Sequence, residues 1–195
     1  MNSILNHNLF FIKEHVGMFK AANNYDIYHP DTQEMILQCR EENLGFVTKL
    51  LRFTDYKRMT PFNVVIKTLS GETILTVKRG ISLILSTVEV LDGNEKLVGT
   101  FKQKFFSIGG KFELMDAQEQ TLCTLKGTWT SWDFKFMKGD IEFAHVSKKW
   151  SGIGKEMFTS ADNYILKIDE KVPADHPLRT LILAAVVCID MVLKE

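Results

Sequence analysis

Apolar and polar residues alternate over most of the chain, and the apolar residues become continuous only near its end. From Tyr25 to Ile168, short runs rich in β-branched and aromatic residues are separated by turn-forming stretches such as "HPDTQ", "SGE", "DGN", "DAQEQ" and "KGD". This pattern predicts antiparallel strands joined by tight turns. The strands expected between these turns are Asn63–Thr68, Ile74–Lys78, Leu83–Leu91, Leu97–Phe105, Lys111–Met115, Thr121–Lys126, Trp132–Phe136 and Ile141–Val146. The stretch "NLGFVTKLLRF" breaks the alternation and predicts a short helix near Val47–Phe53.

The apolar stretch from Leu181 to Leu193 predicts a helix whose sides are nearly all hydrophobic. Such a helix is only about 20 Å long, whereas the hydrocarbon core of a bilayer is about 30 Å thick. Asp190 and Arg179 would each cost roughly 2.5–3.5 kcal/mol at the bilayer centre. A buried helix is therefore favoured over a transmembrane one, with Asp175 and Pro177 as its cap and first turn.

A helix that is apolar on every side has to be surrounded on every side. A sheet of hairpins that closes around the helix supplies this wall and also removes the exposed strand edges. The chain is therefore predicted to form a closed antiparallel β-barrel around its C-terminal helix, and Leu181, Ala185 and Ile189 are predicted to plug the core. The 195 residues suit one domain, spanning 1–195.

A weak internal repeat supports a regular sheet. The triplet Thr-apolar-Lys occurs at residues 76–78, 100–102 and 124–126, so that consecutive copies are 24 residues apart. Strand alternation places Val77, Phe101 and Leu125 inside the barrel and the Thr and Lys residues outside it. A solvated strand face is favoured over a row of lysines that binds anions.

Composition and charge narrow the functional classes. Lys+Arg and Asp+Glu are equal at 24 each, so the basic excess of most nucleic-acid-binding proteins is missing and no nucleic acid partner is expected. Cys39, Cys123 and Cys188 are far apart, with neither a CxxC pair nor a His at metal-ligand spacing. They indicate reduced, buried thiols in a cytoplasmic protein, and the N-terminal sequence lacks the features of a secretory leader.

Three blocks of the sequence resemble one known family. Val146–Leu166, "VSKKWSGIGKEMFTSADNYIL", is similar to a segment of the phospholipid scramblase family in which Ser-Lys-x-Trp-x-Gly runs into Phe-Thr-x-Ala-Asp-Asn-aromatic. "NNYDI" at Asn23–Ile27 and the terminal "CIDMVLKE" resemble further blocks of that family, in the same order. The resemblance implies the related tubby-like fold, a twelve-stranded barrel around a central C-terminal helix. The Pro-rich extension and the Cys cluster of animal scramblases have no counterpart in this sequence.

The resemblance also implies an acidic loop that is proposed to bind calcium in animal scramblases, and in this chain the loop is degenerate. "SADNYILKIDEK" retains Asp162 and Asn163, with Asp169 nearby. The positions that depart from the family pattern are Ser160, Ile165 and Lys171. Because calcium needs about six to eight oxygen ligands, a polar strand turn is favoured over a calcium site, and no cofactor is expected.

A local basic cluster lies within the best-matched block. Lys148, Lys149 and Lys155 flank Trp150 and could attract lipid phosphates by about 1 kcal/mol per residue near an anionic surface. The alternative is a set of solvated lysines on the barrel face, with Trp150 filling the core.

Catalytic motifs are missing from the sequence. "SGIGKE" lacks the first Gly and the Ser or Thr of a phosphate-binding loop, and the five histidines have no paired ligand spacing. His145 lies near Ser147 and Ser151, but no GxSxG elbow accompanies them. No enzyme is expected.

The function predicted from these observations is that of a cytoplasmic barrel module, peripheral to the membrane. Its expected partners are anionic phospholipid or phosphoinositide headgroups, or another protein. Translocation of phospholipids between leaflets, the activity for which the resembled family is named, is the alternative, and a protein-interaction scaffold is the second alternative.

Overall fold

β-Strands dominate the computed structural model, which describes residues 3–15, 22, 24–42, 45–51, 54, 59–81, 87–103, 112–128, 132–148 and 163–193. The twelve strands are β1 (Leu9–Glu14), β2 (Tyr25–Tyr28), β3 (Met35–Glu41), β4 (Phe62–Thr68), β5 (Thr73–Arg79), β6 (Thr87–Asp92), β7 (Leu97–Gln103), β8 (Phe112–Asp116), β9 (Thr121–Thr128), β10 (Asp133–Lys138), β11 (Ile141–Ser147) and β12 (Asn163–Ile168). The helices are α1 (Phe46–Leu51) and α2 (Pro177–Leu193), and a 3-10 turn covers Ser3–Asn6.

The sheet closes on itself into a barrel, as the pattern predicted. Each strand pairs antiparallel with its neighbours in the chain, and β1 also pairs with β12. At the seam Phe11 lies opposite Tyr28 on one side and Ile165 on the other. Each of the twelve described strands therefore has two hydrogen-bonded neighbours, and none of them is an edge strand.

α2 fills the inside of this barrel. Every residue from Leu181 to Ile189 is at most 5% exposed, and nine consecutive residues cover all sides of a helix, so the helix is surrounded. Leu181, Ala185 and Ile189 are 0%, 5% and 2% exposed. Gly99 of β7 has no room for a side chain between β8 and α2, since a Cβ there would lie 2.1 Å from the Met115 carbonyl oxygen of β8 and 3.0 Å from Leu181 Cδ1 of α2. None of the described helices is long and apolar enough to cross a membrane.

The 24-residue repeat corresponds to a repeated turn. Asp92 Oδ1 accepts backbone N–H bonds from Asn94 and Lys96, each at 2.9 Å, and Asp116 makes the same two bonds in the next hairpin. The residue three positions after each Asp has a φ of 61°, in the left-handed region. The inward positions of the repeat, which are Val77, Phe101 and Leu125, are at most 3% exposed, as predicted.

Several predicted boundaries shift, and one predicted cap is wrong. The strands differ from the predicted ones by one or two residues at most ends, although residues 82–86 and 104–111 lie outside the described part of the chain. His176, rather than Asp175, caps α2, because its Nδ1 accepts the Leu178 N–H at 3.1 Å. Asp175 has a φ of 59° and instead exchanges hydrogen bonds with the side chain of Asn6.

The chain order gives the barrel two ends of different construction. At the hairpin end, defined by connections 29–34, 69–72, 93–96, 117–120, 139–140 and 169–176, the chain turns tightly or enters α2. At the connection end, defined by connections 15–24, 42–61, 80–86, 104–111, 129–132 and 148–162, the connections are longer. Because α2 begins at the hairpin end, its last turns point to the connection end.

Candidate functional site

Large apolar side chains stand exposed at the connection end. Phe46 and Leu50 of α1 are 81% and 61% exposed, and Ile81, directly after β5, is 75% exposed. Residues four apart lie on the same face of a helix, so Phe46 and Leu50 form one apolar surface beside the exposed Lys49. Leu69, Leu97 and Ile141 of the hairpin end are 55%, 37% and 51% exposed, so apolar exposure alone does not distinguish the two ends. The contiguous pair on α1 is the feature typical of an interaction surface.

Basic and aromatic residues in the sequence concentrate at the same end. The six connections there contain ten Lys and Arg residues against four Asp and Glu residues, whereas those of the hairpin end contain two against nine. All three tryptophans of the chain lie in the first group, and no Phe, Trp or Tyr lies in the second. A chain with no net charge is thus strongly polarised along the barrel axis.

Lys148, the first residue of the predicted basic cluster, lies over aromatic rings. Its Nζ is 4.3 Å from the ring centre of Trp132 and 5.2 Å from that of Tyr164. The two rings stack with centres 4.7 Å apart and an angle of 11° between their planes, and Tyr164 Oη donates to Glu14 Oε2 at 2.7 Å. Lys148 is half-buried and makes cation–π contacts with both rings. Lys149, Lys155 and Trp150 lie outside the described residues.

A charged cluster that the sequence analysis missed holds the strands together at this end. Asp26 of β2 is 8% exposed and accepts hydrogen bonds from His15 Nε2 at 2.6 Å and Arg40 Nη2 at 2.7 Å. Burial alone would raise the pKa of Asp26, but the hydrogen bonds and charges of Arg40 and His15 outweigh it and lower the pKa below the usual value. Burial, followed by the charge of Asp26, raises the pKa of Tyr28. Asp26 is the acidic residue of "NNYDI", so the family-like block Asn23–Ile27 contains the central residue of this cluster.

The two described residues of the degenerate calcium loop, Asn163 and Asp169, are not brought together. Asn163 begins β12 and Asp169 follows its end, which places them about 20 Å apart along the strand, so they cannot ligate one ion. Asp162 lies outside the described residues. Asp169 accepts the Lys171 N–H at 2.9 Å, and this bond is the main cause that lowers the pKa of Asp169. The part of the chain that the structure describes contains no group of three or more His, Cys, Asp or Glu residues arranged to hold a metal ion.

His145 has a carboxylate partner, and the nearby serine that the structure describes, Ser147, is buried, whereas Ser151 lies outside the described residues. Its Nε2 lies 3.0 Å from Asp133 Oδ1 on the outer face of β10 and β11. Ser147, two residues further along β11, is 1% exposed, so a substrate has no path to its hydroxyl. Cys39, Cys123 and Cys188 are free and buried, as predicted, and burial raises the pKa of the Cys123 thiol to about 12. A buried thiol of high pKa is a weak nucleophile at neutral pH.

The comparison with known proteins decides the family. The family model described as Scramblase matches residues 2–195, which is nearly the entire chain. The chain belongs to the scramblase family. This assignment agrees with the three resembling blocks and with the barrel, and scramblases are not a family of catalytic enzymes.

A curated scramblase-family relative is the yeast protein named altered inheritance rate of mitochondria protein 25, from Saccharomyces cerevisiae. It is 25% identical over 207 residues, an alignment that covers 93% of this chain and 62% of the yeast protein. The chain thus spans about three fifths of the length of that relative. No solved structure matches the chain at a significant level.

Proposed function

We propose that this scramblase-family barrel binds anionic lipid surfaces through its connection end, as a peripheral protein of the cytoplasm. The observation that carries the proposal is the exposure of Phe46, Leu50 and Ile81 at the end where the connections are rich in Lys and Arg. Apolar side chains gain free energy by entering the boundary between headgroups and acyl chains, and cations gain by approaching anionic headgroups. A bilayer offers both environments on one flat surface.

The opposite end of the barrel is unsuited to the same surface. With two basic and nine acidic residues in its connections, the hairpin end is repelled by anionic headgroups. The polarity therefore orients the barrel, with the connection end toward the lipid and the hairpin end toward the solution. Lys149 and Lys155 add to the basic excess, whereas Lys148 is engaged by Trp132 and Tyr164.

Co-sedimentation with vesicles tests this proposal. We expect the full chain to pellet with vesicles of phosphatidylcholine and 30% phosphatidylserine at low salt, and less at high salt, since exposed charges are screened within about 8 Å at physiological ionic strength. Vesicles with phosphoinositide in place of phosphatidylserine test the headgroup. Because the calcium loop is degenerate, binding should be the same with a calcium chelator as with calcium.

Two matched triple variants show which end of the barrel contacts the vesicle. The triple substitution Phe46→Ser, Leu50→Ser and Ile81→Ser should weaken vesicle binding by about tenfold or more, because each buried apolar side chain contributes roughly 1 kcal/mol or more. The control removes three exposed apolar side chains of the hairpin end by the substitutions Leu69→Ser, Leu97→Ser and Ile141→Ser, which should leave binding unchanged. Equal losses in the two triple variants would contradict the proposed orientation.

Lipid translocation is the second candidate, and membership of the scramblase family is the observation that favours it. In this structure α2 is enclosed by the barrel, and its release would expose the apolar residues of both the helix and the barrel lining. An assay with fluorescent lipid placed in one leaflet distinguishes the candidates. Binding without exchange between leaflets supports the binding module, and exchange at a rate that depends on protein concentration supports translocation.

A further inference from the structure

A cleft of about 1060 Å³ opens at the hairpin end, beside the start of α2. Its walls are the turns of three hairpins, β4–β5, β6–β7 and β8–β9, and the residues from His176 to Thr180. Leu97, Val98 and Leu122 give it an apolar floor, and Leu97 is 37% exposed. A cleft of this size is large enough for a peptide segment or a small ligand.

The charges around this floor are mainly negative. Glu72, Asp92 and Asp116 line the cleft, and Lys96 is the basic residue among the lining residues that the structure describes. In both turns, Oδ1 of the Asp side chain accepts the backbone N–H bonds. An Asn side chain at Asp92 or Asp116 would accept the same bonds without carrying a charge. Local folding therefore does not explain why both positions carry a charge.

We infer that this cleft docks a basic, partly apolar segment of a partner protein. An apolar side chain of the segment packs on Leu97, Val98 and Leu122, and its Lys or Arg residues face Asp92 and Asp116. Charge complementarity selects this occupant, since nine acidic residues against two basic ones in the connections of the hairpin end attract a cationic segment and repel an anionic one.

The inference does not depend on lipid binding. If the connection end lies on a bilayer, the cleft at the opposite end faces the solution and both can be occupied at once, which makes the barrel an adaptor between a membrane and a protein. If the barrel does not bind lipid, the cleft is unchanged.

Fluorescence anisotropy with a defined probe tests the cleft. The probe is a labelled twelve-residue peptide of alternating leucine and lysine, and its counterpart carries glutamate in place of each lysine. With the full chain at low salt we expect saturable binding of the lysine peptide, weakening at high salt, and no binding of the glutamate peptide. Absence of saturable binding of the lysine peptide below about 1 mM overturns the inference.

A pair of charge-matched variants locates the binding. Asp92→Asn with Asp116→Asn keeps the turn acceptors and removes two charges from the cleft, so the Kd should rise by about three- to tenfold. Asp31→Asn with Asp140→Asn removes two exposed charges of the same end outside the cleft, and the Kd should change less than about twofold. Equal effects of the two pairs would show a general field rather than docking in the cleft.

An uncharged variant and a vesicle control complete the test. Leu97→Thr removes the exposed part of the apolar floor without changing charge, and it should raise the Kd by about threefold or more. An unchanged Kd would show that the floor is not in contact with the segment. Vesicle binding by Asp92→Asn with Asp116→Asn should equal that of the wild type, so a failure of the cleft and a failure of lipid binding give different results.

Discussion

The two ends of the barrel solve the same problem, joining neighbouring antiparallel strands, in different ways. At the hairpin end the connections between strands have two to six residues, and at the connection end they have four to twenty. In the hairpins at Asp92 and Asp116, side-chain oxygens and left-handed residues fix the chain locally. The connections of the connection end are rich in Lys and Arg, and Phe46, Leu50 and Ile81 are exposed there. Binding surfaces usually evolve on such connecting segments of a rigid scaffold.

Removal of α2 should have the largest effect, because the helix runs between both ends. Truncation after Asp175 leaves the inward side chains of β5, β7, β8 and β12 without the surface on which they pack, so we expect an insoluble or unfolded chain. Size-exclusion chromatography and thermal unfolding followed by circular dichroism measure this. A truncated chain that stays monomeric and melts cooperatively would show that the barrel stands without its core helix.

The sequence predicted the regular parts of this fold well. Alternation located the eight strands from β4 to β11 but not β1, β2, β3 or β12. The all-apolar segment Leu181–Leu193 required a surrounding wall, and both signals come from burial. The Asp175 cap was wrong because Asn6, which binds Asp175, lies 169 residues away in sequence. A partner so distant leaves no signal in the local pattern.

The candidate site was less accessible to prediction for a related reason. Lys148 contacts Trp132 and Tyr164 in the folded structure, although both are distant from it in the sequence. Trp132 lies just before β10, and Tyr164 lies in β12. The polarity of the barrel also becomes visible only after each connection is assigned to an end. Once the strand order is known, the charges can be counted from the sequence alone.

A methyl group added at Gly99 should destabilise the part of the core near the hairpin end. Gly99→Ala places a Cβ against the Met115 carbonyl and Leu181, so we expect a loss of about 3 kcal/mol in the free energy of unfolding. Gly80→Ala is the matched control, since a Cβ at Gly80 meets no atom within 4 Å. Denaturant unfolding of both variants measures the difference. A Gly99→Ala protein as stable as Gly80→Ala would mean that β7 can shift away from β8 and α2 at low cost.

The charged cluster of Asp26, His15 and Arg40 is expected to stabilise the strands at the connection end. Asp26→Asn weakens two charge-assisted hydrogen bonds and should cost about 2 kcal/mol at pH 7. Because folding lowers the pKa of Asp26, its stabilisation is complete above the unfolded pKa of about 4 and is lost as the pH falls through the folded value. The difference between wild type and variant should therefore shrink below about pH 4.

Urea unfolding at pH 7 and at pH 3 measures this cluster. Asp31→Asn, at an exposed position of the hairpin end, serves as the control and should be nearly neutral at both values. A difference for Asp26→Asn that stays constant from pH 7 to pH 3 would rule out the ionised carboxylate as its source.

The repeated turn allows a smaller and more local test of the hairpin end. Asp116→Ala removes the acceptor of two backbone N–H bonds and should cost about 1 kcal/mol, whereas Asp116→Asn keeps the acceptor and should cost much less. Thermal unfolding of the two variants measures the contrast. Equal losses would assign the stabilisation to the charge of Asp116 rather than to the turn.

The smallest expected effect concerns the mouth of the barrel at the connection end. Lys148→Ala removes the cation from the stacked rings of Trp132 and Tyr164 and should cost about 0.5–1 kcal/mol in the free energy of unfolding. Lys167→Ala removes the same charge from an exposed position on the neighbouring strand β12 and should be nearly neutral, so comparison of the two variants isolates the ring contact from the change in net charge. Lys148→Arg should restore most of the stability, because a guanidinium also stacks on aromatic faces. If Lys148→Ala and Lys167→Ala unfold at the same denaturant concentration, the ammonium is solvated in solution, and Lys148 then rejoins the basic residues available to anionic headgroups.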